Sequence, residues 1–219
     1  MNYTALSNAI QAYTENTEAD FVANIPVFVT QAEERIFNSV QFPSLRSNVT
    51  GATTTNNKYL QCPTDFLAVY SLAIINASGE YEYLLNKDVN FIRQAYPKPT
   101  DTGIPRYYAL FGPRSDNAAE LTFILGPTPD AAYGAELHYF FYPPSITVAP
   151  FTSWLGDNFD PVLLYASLVE AYTYMKGEPD MMALYNGKYQ EALALAKRLG
   201  DGMERQDAYR SGQYRQAVT

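Results

Sequence analysis

The stretch from Ser153 to Gly202 constrains the fold most, because it spells out two helices with only a short turn between them. Asp160-Pro161 reads as a helix start: aspartate can cap free backbone N–H groups, and proline suits the first turn, where its missing N–H is not needed. Gly177 and Pro179 punctuate the chain, and a second helix restarts near Asp180. Leu164, Leu168, Ala171 and Met175 share one face of the first helix, and Met182, Tyr185, Tyr189, Ala192, Ala196, Leu199 and Met203 share one face of the second. Helices joined by so short a turn pack antiparallel, so this pair predicts a bundle core.

Such a pair needs more apolar surface to pack on, and the first 47 residues offer it. Leu6, Ile10 and Tyr13 predict one short helix. Asn24-Ile25-Pro26 reads as the capped start of another, with Phe28, Ala32 and Ile36 on its buried face and Gln31, Glu33, Glu34 and Arg35 outside; Phe42-Pro43 ends it. Between the two helical ends the pattern turns to strands. Residues 49–55 and 58–62 read as a hairpin turning at Asn56-Asn57, and Phe66–Ile75 pairs with Glu80–Leu85 across the turn Asn76-Ala77-Ser78-Gly79. Further strands fall at 106–111, 120–125 and 135–142, in an antiparallel sheet or small barrel, and a short helix at 87–96 stops at Pro97 and Pro99. The expected fold is α+β: a discontinuous helical bundle from both chain ends (1–47 and 153–202), an inserted antiparallel β-rich domain (48–152), and a C-terminal tail (203–219).

Chemistry-bearing patterns are sparse. The sequence has no phosphate loop, dinucleotide fingerprint, nucleophile elbow or zinc-protease spacing, and its single histidine, His138, and single cysteine, Cys62, both fall in strand-like runs. Asp101, Asp157, Asp160 and Glu170 are conceivable members of a glycosidase-type pair, which is defined by separation in space rather than in sequence; turns and caps account for the aspartates, and Glu170 reads as an exposed helical glutamate. No catalytic residue, metal ligand or cofactor site is assigned. No apolar run approaches the roughly 20 residues of a membrane span, and the first residues lack the pattern of a secretory signal, so folding in a cytoplasm is expected. A net charge of −8 argues against a general nucleic-acid-binding surface. The 19 tyrosines and 12 phenylalanines exceed the needs of the core and point to extensive subunit contact. Candidate contact residues are Arg205, Tyr209, Arg210, Tyr214 and Arg215 in the tail and Tyr165, Tyr172 and Tyr174 on the outer face of the first C-terminal helix.

Several phrases read together carry a resemblance: Tyr59-Leu60-Gln61-Cys62-Pro63-Thr64-Asp65-Phe66, the run from Leu84 to Arg93, Gly103-Ile104-Pro105-Arg106-Tyr107-Tyr108-Ala109, and Ser153-Trp154-Leu155 followed by Leu163-Leu164-Tyr165-Ala166. In order and spacing, and with the Ala-rich helix that follows, they resemble the head-to-tail adaptor (connector) proteins of short-tailed bacteriophages. The resemblance implies a non-catalytic virion protein at the head–tail junction. It implies a ring of about twelve copies, seated between the portal and the tail nozzle, that extends the DNA channel without reading sequence. It also implies that the tail reaches the portal or a neighbouring copy. The alternative is a carbohydrate- or receptor-binding phage module that uses exposed tyrosines of the β region.

Overall fold

The computed structural model describes residues 1–98, 100–112 and 121–203. Among them are six helices, α1 (Tyr3–Thr14), α2 (Ala19–Ser39), α3 (Val89–Ala95), α4 (Trp154–Asn158), α5 (Asp160–Met175) and α6 (Pro179–Met203). There are eight strands: β1 (Arg46–Ala52), β2 (Tyr59–Gln61), β3 (Ala68–Ile75), β4 (Tyr81–Tyr83), β5 (Leu85–Asn86), β6 (Tyr107–Phe111), β7 (Thr122–Gly126) and β8 (Gly134–Phe140). The protein is α+β. Its chain divides into two compact units, one taking in Met1–Leu45 and the chain from Pro143 onward, the other Arg46–Tyr142.

In the helical unit α5 is the central element, packed against α1, α2, α4 and α6. That position explains a buried surface wider than the expected stripe. Val162, Leu163, Ala166, Ser167, Leu168, Val169 and Ala171 are all buried, whereas Leu164 is half-exposed. Asp160 does not cap the helix: Phe159 holds the N-cap position without a side-chain bond, and the Asp160 carboxylate instead accepts from the Met1 amino group at 3.0 Å. At the other end Lys176, in the left-handed region at φ 54°, closes α5 with N–H bonds to the Thr173 and Tyr172 carbonyls.

Two expectations for the N-terminal segment are corrected. α2 does not start at Asn24. It begins at Ala19 and runs through Pro26, and the Asn24 amide donates to the Asp20 carbonyl one turn back at 2.7 Å. A proline inside a helix costs about 3 kcal/mol. Burial of Phe21, Ile25, Phe28, Val29, Ala32 and Ile36, at about 1.5–3 kcal/mol for each large side chain, outweighs it. Glu33, expected outside, is 3% exposed. Its Oε1 accepts the backbone N–H of Ile146.

The β unit stacks three layers. One sheet has the order β1-β8-β3-β4 and the other β2-β7-β6-β5. Leu72, Ile74, Ala135, Leu137 and Tyr139 of the first face Tyr108, Phe123 and Leu125 of the second in one core, which Cys62, Phe66 and Leu84 complete. On the far side of the second sheet α3 places Ile92 against Ala109 and Ile124. β7 is therefore buried on both faces and reads as a continuous apolar run rather than an alternating one. Gly126 ends it where α3 comes close, since a Cβ there would lie 2.7 Å from Ile92 Cγ2.

The strand 66–75 pairs with its return strand as expected, Ile75 opposite Tyr81. The hairpin expected at Asn56-Asn57 does not form. β1 pairs with β8 and β2 with β7, so the chain crosses from one sheet to the other there. Antiparallel pairing is also incomplete, because β5 and β6 run parallel. Both departures have one cause: local turn chemistry names a reversal, whereas burial in a two-sheet core decides which strand lies alongside.

Candidate functional site

The helical unit gathers its tyrosines by helical spacing. Tyr165 and Tyr172, about two turns apart on α5, lie on one face. Their ring centroids are 6.5 and 5.0 Å from that of Tyr185 on α6, and Tyr13 of α1 approaches the same ring at 6.4 Å. Tyr185 is buried, Tyr165 and Tyr172 are half-buried, and Tyr13 is exposed. Burial, reinforced by a hydrogen bond with Tyr172, pushes the Tyr185 phenol up to about 12. Gly177 permits this packing, for a Cβ there would stand 2.5 Å from Tyr172 Cδ1.

Tyr174 joins a different cluster. Its ring centroid is 5.1 Å from that of Phe28 and 6.4 Å from that of Phe21, both on α2, and the side chain keeps 48% of its surface exposed. The structure thus brings Tyr165 and Tyr172 together and separates Tyr174 from them. Arg205, Tyr209, Arg210, Tyr214 and Arg215 lie outside the described residues.

The candidate carboxylates are engaged at three different places. Asp101 accepts the Lys98 backbone N–H at 3.1 Å, and Asp157 and Asp160 lie 3.8 and 3.0 Å from the Met1 amino group. Glu170 is not the exposed glutamate expected from the sequence; its side chain is largely buried and forms an ion pair with Arg35 of α2. The helical pattern offered a signal for this pair only in retrospect, as one acid and one base on two faces that turn toward each other. No cluster of three or more His, Cys, Asp or Glu able to hold a metal ion occurs among the described residues.

His138 alternates outward on β8, between Asn48 of β1 and Ser71 of β3. Ser71 Oγ lies 3.3 Å from His138 Nδ1, and Glu136 Oε1 lies 3.7 Å from Nε2. Serine, imidazole and carboxylate are adjacent because strand register puts them side by side. The acid is beyond hydrogen-bond reach at 3.7 Å, and His138 is 44% exposed, so the group lacks the relay and the water exclusion that a nucleophilic triad uses. The same outward face carries Tyr81 and Tyr83 of β4, exposed by 53% and 68%, with Tyr81 hydrogen-bonded to Glu136. At one side of the unit a cleft of about 310 Å³ opens between β1 and β2, lined by Val49, Leu60, Cys62, Leu72, Phe123 and Leu137 among others. Its wall is mostly apolar, with Thr50 and Gln61 among its lining residues and no charged side chain. Among the described residues no helix is long and apolar enough to cross a membrane.

What the geometry offers is aromatic surface and polar pairs that tie elements together, with no convergent set of acid, base and nucleophile among the described residues. No curated protein matches the sequence. A family model described as SU10 adaptor protein matches residues 1–216. With nearly the whole sequence matched, the chain belongs to the SU10 adaptor protein family, in agreement with the phage head-to-tail adaptor resemblance read from its sequence.

Proposed function

We propose that the chain is a structural virion protein of the phage head–tail junction, forming a ring between the portal and the tail nozzle and extending the DNA channel. The family match over residues 1–216 carries this reading. In it, residues 1–47 and 153–202 form a discontinuous helical bundle, 48–152 an inserted β-rich domain with a short helix at 87–96, and 203–219 a tail. The packing of α5 on both α1 and α2 supports that division. The role is non-catalytic and takes no cofactor.

A heterologous contact repeated about an axis closes into a ring, here of about twelve copies, and needs two different complementary surfaces on each subunit. Tyr174, about half exposed beside α2, is assigned to one such surface, and the exposed edges of Tyr165 and Tyr172 beside α6 to the other. Arg205, Tyr209, Arg210, Tyr214 and Arg215 are assigned to the portal or to a neighbouring copy. A net charge of −8 suits a conduit that lets the duplex slide rather than holding its phosphates.

Electron microscopy of the full-length protein mixed with its portal tests the reading. A second ring coaxial with the portal is expected, and particles showing the portal alone would overturn it. Deletion of the residues after Gly202 leaves a folded protein that fails to join portal-containing heads; normal attachment would remove the role given to the tail. Tyr174→Ser weakens ring formation if that ring edge is a subunit contact. The exposure of Tyr81 and Tyr83 on one sheet face favours a second reading, a carbohydrate- or receptor-binding phage module. Glycan-array binding by a protein that forms no ring on the portal would support it.

A further inference from the structure

Chain returning from the β unit enters the helical unit through a strap without regular structure, running from Phe141 to Ser153. Most of this strap is exposed or half-exposed, and Ile146 is its one fully buried side chain. The strap is also held by a carboxyl. Glu33 Oε1, from the middle of α2, accepts the Ile146 backbone N–H at 3.0 Å, and the Ser145 hydroxyl reaches the same carboxyl group. Ser145 Oγ in turn lies 2.9 Å from Thr147 Oγ1, accepts the Thr147 N–H at 3.2 Å, and stands 3.5 Å from Thr30 Oγ1 of α2. Gly156 closes over the plug, since a Cβ there would lie 2.7 Å from Ile146 Cδ1.

The carboxyl is 3% exposed, and its second oxygen, Oε2, is buried with no hydrogen-bond partner among the described residues. Among the described residues no charge compensates it. α1 carries no charged side chain, the two acids of α5, Asp160 and Glu170, are engaged by the Met1 amino group and Arg35, and Asp157 of α4 also faces Met1. On α2 itself Arg35 is turned to Glu170 and Glu34 is exposed. An ionised carboxylate in such a place is expensive, whereas the neutral acid keeps the acceptor that Ile146 uses.

We propose that Glu33 is a proton-controlled latch on the strap: protonated, it pins Ser145–Thr147 to α2, and ionised, it lets that turn open. The strap is one of the two places where the chain passes between the units, the other being Leu45–Arg46, so the latch sets how firmly one crossing is anchored. Burial raises the Glu33 carboxyl above its ordinary value, and the bonds from Ser145 and Ile146 only partly oppose this. An acid raised in the closed state holds its full contribution below the ordinary carboxyl range and loses it as pH rises through the raised value.

Hydrogen exchange at the Ile146 amide of the full-length protein, expressed as a protection factor so that the intrinsic pH dependence cancels, reads the latch directly. From below the ordinary carboxyl range, roughly pH 3, up to pH 9, protection should fall about tenfold for each unit by which the closed-state value exceeds the ordinary one. Glu33→Gln keeps the acceptor and cannot ionise, so its protection should stay level. Wild-type protection that is flat over this range, or a variant that falls in parallel with wild type, would overturn the proposal. If Glu33→Gln fails to fold, carboxyl carbon chemical shifts of the wild-type protein decide: a Glu33 midpoint at or below the ordinary glutamate range refutes the latch.

Discussion

Phe123→Ala should destabilise the β unit while leaving the helical unit standing, and the chain carries a natural reporter for each. Phe123 is fully buried, with its ring edge-on to Phe66 and to Tyr108, both at 5.6 Å between centroids. Truncation loses the burial of one large aromatic, about 1.5–3 kcal/mol, and two aromatic pairs at about 0.5–1.5 kcal/mol each. The sum agrees with the roughly 3–5 kcal/mol usual for Phe→Ala in a core. Cys62, the only cysteine, is 4% exposed in that same core, on the wall of the cleft between β1 and β2, and reports opening of the unit as a rise in its rate of labelling by a thiol reagent. Trp154, the only tryptophan, packs on Phe42 and Phe159 in the helical unit and reports its unfolding by fluorescence. At a urea slope of about 1–3 kcal/mol per molar, the Cys62 labelling midpoint should fall by roughly 2 M. The Trp154 transition should stay in place. Leu163→Ala, fully buried in the first turn of α5, should reverse the pattern. Equal movement of both reporters in either variant would refute the division into separately stable units.

Three further outcomes follow from the helical unit. Gly177→Ala drives a methyl into the Tyr172 ring, so it should cost about 1–3 kcal/mol in urea unfolding despite the usual gain from replacing glycine; an unchanged or raised midpoint would show that the ring is not held. Arg35→Met strands the Glu170 carboxylate and should cost about 2 kcal/mol, less than for a fully buried pair because Arg35 is itself 43% exposed. Arg35→Met with Glu170→Leu should recover most of that loss, and a double variant no better than the single one would contradict it. Tyr185, with its phenol pushed up to about 12, should be among the last tyrosines to ionise in an ultraviolet titration. Its contribution to stability is complete below the ordinary tyrosine value near 10 and fades as pH rises through about 12, a loss that Tyr185→Phe should abolish.

What the sequence makes legible here is decided by how local the responsible physics is. The α5–α6 pair is legible because its spacing, the Asp160-Pro161 start and the Gly177-Glu178-Pro179 break all act within a turn of the chain. The start of α2 is not, because Asn24-Ile25-Pro26 sends a strong local signal that burial of Phe21 and Ile25 on either side overrides. The same rule separates the strands: β3 and β4 follow from one turn, but β1 and β2 join different sheets because their partners, β8 and β7, lie far along the chain. Site residues obey it too. Counting puts Tyr165 and Tyr172 on one face of α5, but it does not reveal that this face meets Tyr185, which depends on how α5 and α6 cross. Glu33 and Glu170 read as solvent-facing acids because nothing local marks the partner that makes burial tolerable, a backbone N–H from residue 146 for one and a guanidinium from residue 35 for the other. Where a charged residue on an amphipathic helix falls near the edge of the apolar stripe, sequence therefore gives its address but not its company. For this chain the company is what couples α2 to α5 and to the strap, which is why the polar residues best placed to tune the fold were the ones hardest to see.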